Sequence, residues 1–265
     1  MQAAFFDLDK TIIATSSVIA LGGPLYREGL ISKRTIARGI YAQVVYMLVG
    51  ADEEKMERMR EAMLALTKGW DHQRVNELVR ETLDQVITPV IYAEALELIE
   101  AHKQAGRKTV IISSSPIETV QAIGEHLGVD DVIATRARID ADGKYTGELD
   151  FYAYGPHKAD AIREMAVREG IDLARSHAYS DSITDLPMLE LVGNPVAVNP
   201  DRELARIARD REWETLTFEH PVRMRDRVPV PPKGPAIAAG SALAAVGAGA
   251  ALYLWLRRRA EVARA

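Results

Sequence analysis

The chain contains no cysteine in 265 residues, which excludes disulfides, thiolate metal sites and a cysteine nucleophile and fits a reducing compartment. It has no basic excess either. With 33 Lys and Arg against 38 Asp and Glu, the formal charge is -5, and cationic residues form no long run before the extreme C-terminus, so no nucleic acid partner is expected. The histidines, at 72, 102, 126, 157, 177 and 220, show no metal-ligand spacing and are read as surface or core residues. No export signal is read at the start, because the first residues already form an apolar strand that ends in acids. What is present, 48% hydrophobic and 27% charged residues, is enough to fold around a sizeable core.

The acids at that first strand stand out. The segment FFDLDKT, residues 5–11, carries Asp7 and Asp9 two apart. On a strand such residues point the same way and would share one pocket, with Leu8 packed behind them. Two anions held that close are costly unless a cation or a shared proton relieves them.

Residues 16–88 read as helical throughout, and Pro89 closes the block. Helices and strands then alternate: helix 90–105, strand 108–113, helix 116–127, strand 132–138, a hairpin at Asp142-Gly143, helix 158–169, strand 176–180, a helix from Leu186 and a strand at 195–199. That rhythm predicts βαβ units on a parallel sheet. The expected fold class is α/β, a Rossmann-like three-layer core (1–15 and 89–220) with a small all-helical cap (16–88) inserted after the first strand. Residues 221–235 are a proline-rich linker. Residues 236–256 carry no charge and are followed by Arg257, Arg258 and Arg259, which predicts a transmembrane helix. The expected placement is single-pass, with the large domain cytoplasmic.

Further segments put polar groups where strands end or helices begin. TVIISSSP, 109–116, delivers Ser113, Ser114 and Ser115 to the start of a helix, an anion-binding arrangement in which Ser115 is also expected to cap the helix. GPHKAD opens a helix with Lys158, whose ammonium can serve a phosphate as a point charge. AYSDSITDLPML places Asp181 just past a strand and Asp185 four residues on.

In that order these segments resemble the motifs of the haloacid dehalogenase superfamily of phosphohydrolases, through about residue 218. DLDKT, the serine turn, YSDSITDLPML and GNPVAVNPDREL look like subfamily I type B, the group related to phosphoserine phosphatases. The resemblance implies Asp7 as nucleophile and Asp9 as general acid and base. It implies Mg2+ held by Asp7, the main-chain carbonyl of Asp9 and Asp181, phosphate bound by Ser113, Ser114, Lys158 and Thr11, and Asp185 orienting Lys158 or a metal-bound water. The expected function is Mg2+-dependent hydrolysis of a small or lipid-linked phosphomonoester. The rivals are phosphoryl transfer to an acceptor other than water and a membrane-tethered regulator with little turnover. Phosphoserine phosphatases usually carry Ser-Gly-Gly-Phe where this chain has Ser113-Ser114-Ser115-Pro116, and Asn where it has Thr184, so phosphoserine is not the first choice. Arg27, Glu28 and Arg34 and the apolar helix 36–49 are the cap features nearest to a substrate role.

Overall fold

The computed structural model describes residues 1–34 and 53–221. Its centre is β1 (Ala3–Phe6), four apolar residues buried on both sides, as a strand covered on both faces requires. Its parallel neighbours are β2 (Lys108–Pro116) and β5 (His177–Ser180). The sheet runs β4-β3-β2-β1-β5-β6-β7, with β3 (Asp131–Ile139), β4 (Tyr145–Phe151), β6 (Asn194–Val198) and β7 (Glu214–Leu216). Only β4 is antiparallel, paired with β3 through the expected turn at Gly143, which takes φ 77°.

Side-chain alternation splits the core into two layers. Ala4, Phe6, Ile111, Tyr179 and Val196 face α3 (His72–Val86), α4 (Ala93–Gln104) and α5 (Ile117–Leu127). Ala3, Phe5, Val110, Ile112 and Ala178 face α6 (Pro156–Glu169), α7 (Leu186–Leu189) and α8 (Arg202–Asp210). Phe5 and Phe6 are 0% and 1% exposed, each contributing about 1.5–3 kcal/mol by burial. The residue just before β6, Gly193, has to be glycine because a Cβ there would lie 1.8 Å from the Ala174 carbonyl oxygen. The chain passes too closely for any side chain.

Between β1 and β2 the described residues form α1 (Ser17–Arg27), α2 (Glu53–Thr67), α3 and α4, as the helical reading expects. Asp71 caps α3 by accepting the Arg74 N-H at 2.9 Å, and Leu78, Val79 and Leu83 bury its apolar face. The tip of the β3–β4 hairpin grips this helical stretch: Gly69 N donates to Tyr145 O at 2.8 Å, Tyr145 N to Trp70 O at 3.1 Å and His72 N to Gly143 O at 3.0 Å. Sequence periodicity carries no trace of these contacts.

Several boundaries move. The expected helix 90–105 begins at Ala93, because Pro89 sits in a 3-10 turn, Thr88–Val90, that delays it. Strand β2 runs on to Pro116 with a register shift against β3 between Ser113 and Pro116, so the serines continue the strand. Helix α8 and strand β7 extend the alternation past the last expected strand. Among the described residues no helix is long and apolar enough to cross a membrane. The predicted span 236–256, the linker beyond residue 221 and the apolar helix 36–49 lie outside the described residues.

Candidate active site

Strand β1 stops at Phe6, and Asp7 extends its pairing by one bond, donating its N-H to Tyr179 O at 2.9 Å. Leu8 O then accepts from Ile12 N at 2.9 Å and Ile13 N at 3.0 Å, and Lys10 takes φ 65°. This tight turn brings Thr11 back, its hydroxyl 3.4 Å from Asp7 Oδ2. The two acids, expected side by side on the strand, take different partners. Asp7 is 7% exposed and faces Lys158. Asp9 accepts the Ser17 N-H on Oδ1 and the Ser115 hydroxyl on Oδ2, both at 2.6 Å.

Lys158 sits in the first turn of α6, after Gly155, whose φ of 53° fits glycine. The lysine is 3% exposed. Its Nζ donates to Asp7 Oδ1 at 2.7 Å and to Asp185 Oδ2 at 2.8 Å, and the Ser180 hydroxyl donates to the same Asp185 oxygen at 2.8 Å. Asp181 follows β5 directly and is 8% exposed. Ser113 is buried in the last half of β2 and accepts the Ser115 N-H at 3.1 Å, while Ser114 is exposed. These residues gather outside the carboxyl ends of β1, β2 and β5, where the order of strands reverses around β1, the usual ligand crevice of an open α/β sheet.

The electrostatics follow from burial. Burial raises Asp7 well above the usual carboxylate range. Lys158 pulls it down, while Asp185 and Asp181 push it further up. Burial alone would lower Lys158, yet Asp185 and Asp7 outweigh it and hold the ammonium above its ordinary value. Asp181 is pushed up to about 7, chiefly by burial, with Lys10 opposing and Asp185 adding to the rise. Three carboxylates thus crowd one ammonium, and their oxygens are the hard donors that a magnesium ion takes. Among the described residues no three His, Asp or Glu side chains form a complete metal-binding group. Main-chain oxygen or water would therefore complete the shell, which suits a contact through the Asp9 carbonyl, since the Asp9 carboxylate is committed elsewhere.

Some residues behave otherwise than the sequence suggests. Ser115 does not cap α5: Pro116 occupies the cap position without a side-chain bond, and the Ser115 hydroxyl turns to Asp9. Glu28 is paired with Arg74 at 3.0 Å, and Arg27 and Arg34 are exposed. Asp201 escaped sequence reading although VNPDREL carries a cap signal. It donates its N-H to Asp181 O at 2.7 Å, accepts Ile183 N at 2.8 Å and caps α8 through Glu203 N and Leu204 N, pinning the Asp181 loop to β6. A cavity of about 410 Å³ lined by Leu189, Gly193, Arg211 and Trp213 opens at the amino end of β6 and shares no residue with the cluster.

A model for haloacid dehalogenase-like hydrolases matches residues 4–190. A Streptomyces azureus protein named for inhibition of morphological differentiation is 54% identical over 265 residues, covering 98% of this chain and 95% of that one. A probable phosphatase of Mycobacterium tuberculosis is 49% identical over 258 residues, covering 97% and 89%. A histidinol-phosphatase of Neisseria meningitidis is 31% identical over 221 residues, covering 82% and 98%. Among solved structures, a Bordetella pertussis protein of unknown function has a TM-score of 0.70 at 27% identity, covering 81% of this chain and 97% of that one.

Proposed function

The chain belongs to the haloacid dehalogenase-like hydrolases and is a phosphatase, similar to the phosphoserine phosphatases, and we propose that it hydrolyses a phosphomonoester through a phosphorylated Asp7. The observation that carries this reading is Lys158, buried between Asp7 and Asp185 at the end of the central strand. It holds one Asp7 oxygen in place and supplies a positive charge where phosphoryl oxygens would gather.

In the first half-reaction an Asp7 oxygen bonds to phosphorus as the ester P–O bond breaks, and the departing oxygen takes the proton of the Asp9 carboxyl. In the second, the Asp9 carboxylate takes a proton from water, whose oxygen bonds to phosphorus as the Asp7–phosphorus bond breaks. Phosphate leaves and Asp9 is again protonated. Ser113, Ser114 and Thr11 would bind phosphoryl oxygens beside Lys158, and Asp185 fixes Lys158. Mg2+, held by Asp7, Asp181 and the Asp9 carbonyl, would neutralise charge on the phosphoryl group.

The names of the probable phosphatase and the histidinol-phosphatase favour a small phosphomonoester. The uncharged run 236–256 favours a membrane anchor, and with it a lipid-linked phosphate as substrate. Retention in the membrane after carbonate extraction is expected, and full release refutes the anchor. A regulatory role with little turnover is favoured by the name of the Streptomyces relative. One assay separates it from catalysis. Purified full-length protein with Mg2+ should release phosphate from p-nitrophenyl phosphate, and Asp7→Asn should lower that by about 10⁴-fold or more. Equal rates in the two proteins would sink the enzymatic reading.

A further inference from the structure

The position of the Asp9 carboxyl group is set by two serines. Both carboxyl oxygens are engaged: Oδ1 by the N-H of Ser17, the first residue of α1, and Oδ2 by the hydroxyl of Ser115, each at 2.6 Å. The Ser115 hydroxyl is also 2.8 Å from that of Ser17, and the two serines are 5% and 0% exposed. Ser115 is itself fixed, since its N-H donates to Ser113 Oγ at 3.1 Å. A buried hydroxyl with such neighbours is locked in direction, because swinging it away would strand a polar group without water.

We propose that Ser115 is a positioning residue for Asp9: its hydroxyl, backed by that of Ser17, fixes the carboxyl plane so that a proton can pass to the departing oxygen. The inference rests on Asp9 being the acid of the proposed reaction. A carboxyl group has about four lone-pair positions, and the two serine contacts use one on each oxygen. One on each oxygen is left for substrate or proton. Either hydroxyl of the Ser17–Ser115 pair can be the donor. With Ser17 donating to Ser115 and Ser115 to Asp9 Oδ2, the same chain serves an ionised Asp9 and one that carries its proton on a free lone pair, and the carboxyl keeps its place in both halves of the cycle. Nothing in the strand pattern around Ser115 signals this role. A glycine there, as in the usual Ser-Gly-Gly-Phe turn, would have no hydroxyl to offer.

General acid catalysis matters most when the leaving group is a strong base, which supplies a readout that a fold defect does not imitate. Phenyl phosphate releases a phenol with a pKa of about 10, like that of tyrosine, whereas p-nitrophenyl phosphate of nearly the same shape releases a far weaker base. With full-length protein and Mg2+, kcat/KM for Ser115→Ala and Ser17→Ala should be compared with wild type on both esters, and thermal melts recorded alongside. The expected result for Ser115→Ala is a loss about tenfold greater on phenyl phosphate than on p-nitrophenyl phosphate, with a smaller difference of the same sense in Ser17→Ala. Equal losses on the two esters would overturn the proposal. Asp9→Asn is the control. If it discriminates between the esters and Ser115→Ala does not, the acid stands and the role of Ser115 falls. If Asp9→Asn does not discriminate, the assignment of the acid falls and takes this inference with it.

Discussion

Strands β1 and β5 bury ionisable side chains in two places, and the two handle charge in opposite ways. At the carboxyl ends, Asp7, Asp181 and Asp185 surround Lys158, and the lysine is kept charged by its neighbours. One residue before Asp7, Phe6 stacks on Tyr179 with ring centroids 4.7 Å apart, and His102 from α4 closes against both. There Arg107 donates to His102 Nδ1 at 3.4 Å, and Nε2 is 2.7 Å from the Tyr179 hydroxyl. An arginine has only donors, so Nδ1 must be the bare nitrogen and Nε2 the one that carries the proton. Burial foremost, with His177 and Arg107 adding, lowers His102 to about 4. The apolar layer keeps its ionisable group neutral. The strand ends keep a lysine charged among three crowded carboxyl groups, a costly arrangement that a stable core does not need and a phosphoryl-transfer site uses.

Urea unfolding of metal-free protein across pH, on wild type and three variants, breaks this contrast into its parts. The largest effect belongs to Lys158→Met, which strands Asp7 and Asp185 without a counter-charge and should cost about 3–5 kcal/mol at neutral pH. A smaller loss would mean that water reaches the cluster. Next come two slopes of opposite sign. Asp181 has its folded value raised to about 7 from 3.8, so its contribution to stability is present below the unfolded value and is lost as pH rises through about 7. The loss is about 4 kcal/mol at most. Asp181→Asn should gain on wild type over that window, and a constant difference would contradict the burial account. His102 has its folded value lowered to about 4 from 6.5. Its contribution is present above 6.5 and lost as pH falls toward 4, by less than about 3 kcal/mol. In His102→Phe this loss on acidification should disappear, and an unchanged slope would place the acid sensitivity elsewhere.

The same contrast explains what could be read before the structure. The polar residues at strand ends were legible because Asp7, Ser113, Lys158 and Asp181 each sit where an apolar run stops or a helix opens, and parallel strands bring their carboxyl ends to one edge of the sheet. The turn at Leu8 that follows Asp7 was not legible, because a single carbonyl accepting successive N-H groups leaves no periodic trace. Ser115 was read as a helix cap for the same reason: local sequence offers a nearby N-H, and only the fold brings Asp9 within 2.6 Å. His102 gave no signal at all, since its Tyr179 partner lies 77 residues away on β5. Asp201 was half legible, as a cap whose other oxygen happens to hold the Asp181 loop.

The central claim is that the charged end of this pair of strands performs covalent catalysis through Asp7. It is tested most directly in Asp9→Asn given p-nitrophenyl phosphate and Mg2+. That ester needs little acid help to form the intermediate, and the variant lacks the base to hydrolyse it. After an acid quench and peptide mass analysis, a phosphoryl group on Asp7 is the predicted result. Steady release of p-nitrophenolate with Asp7 unmodified, or a phosphoryl group on any other residue, would contradict it.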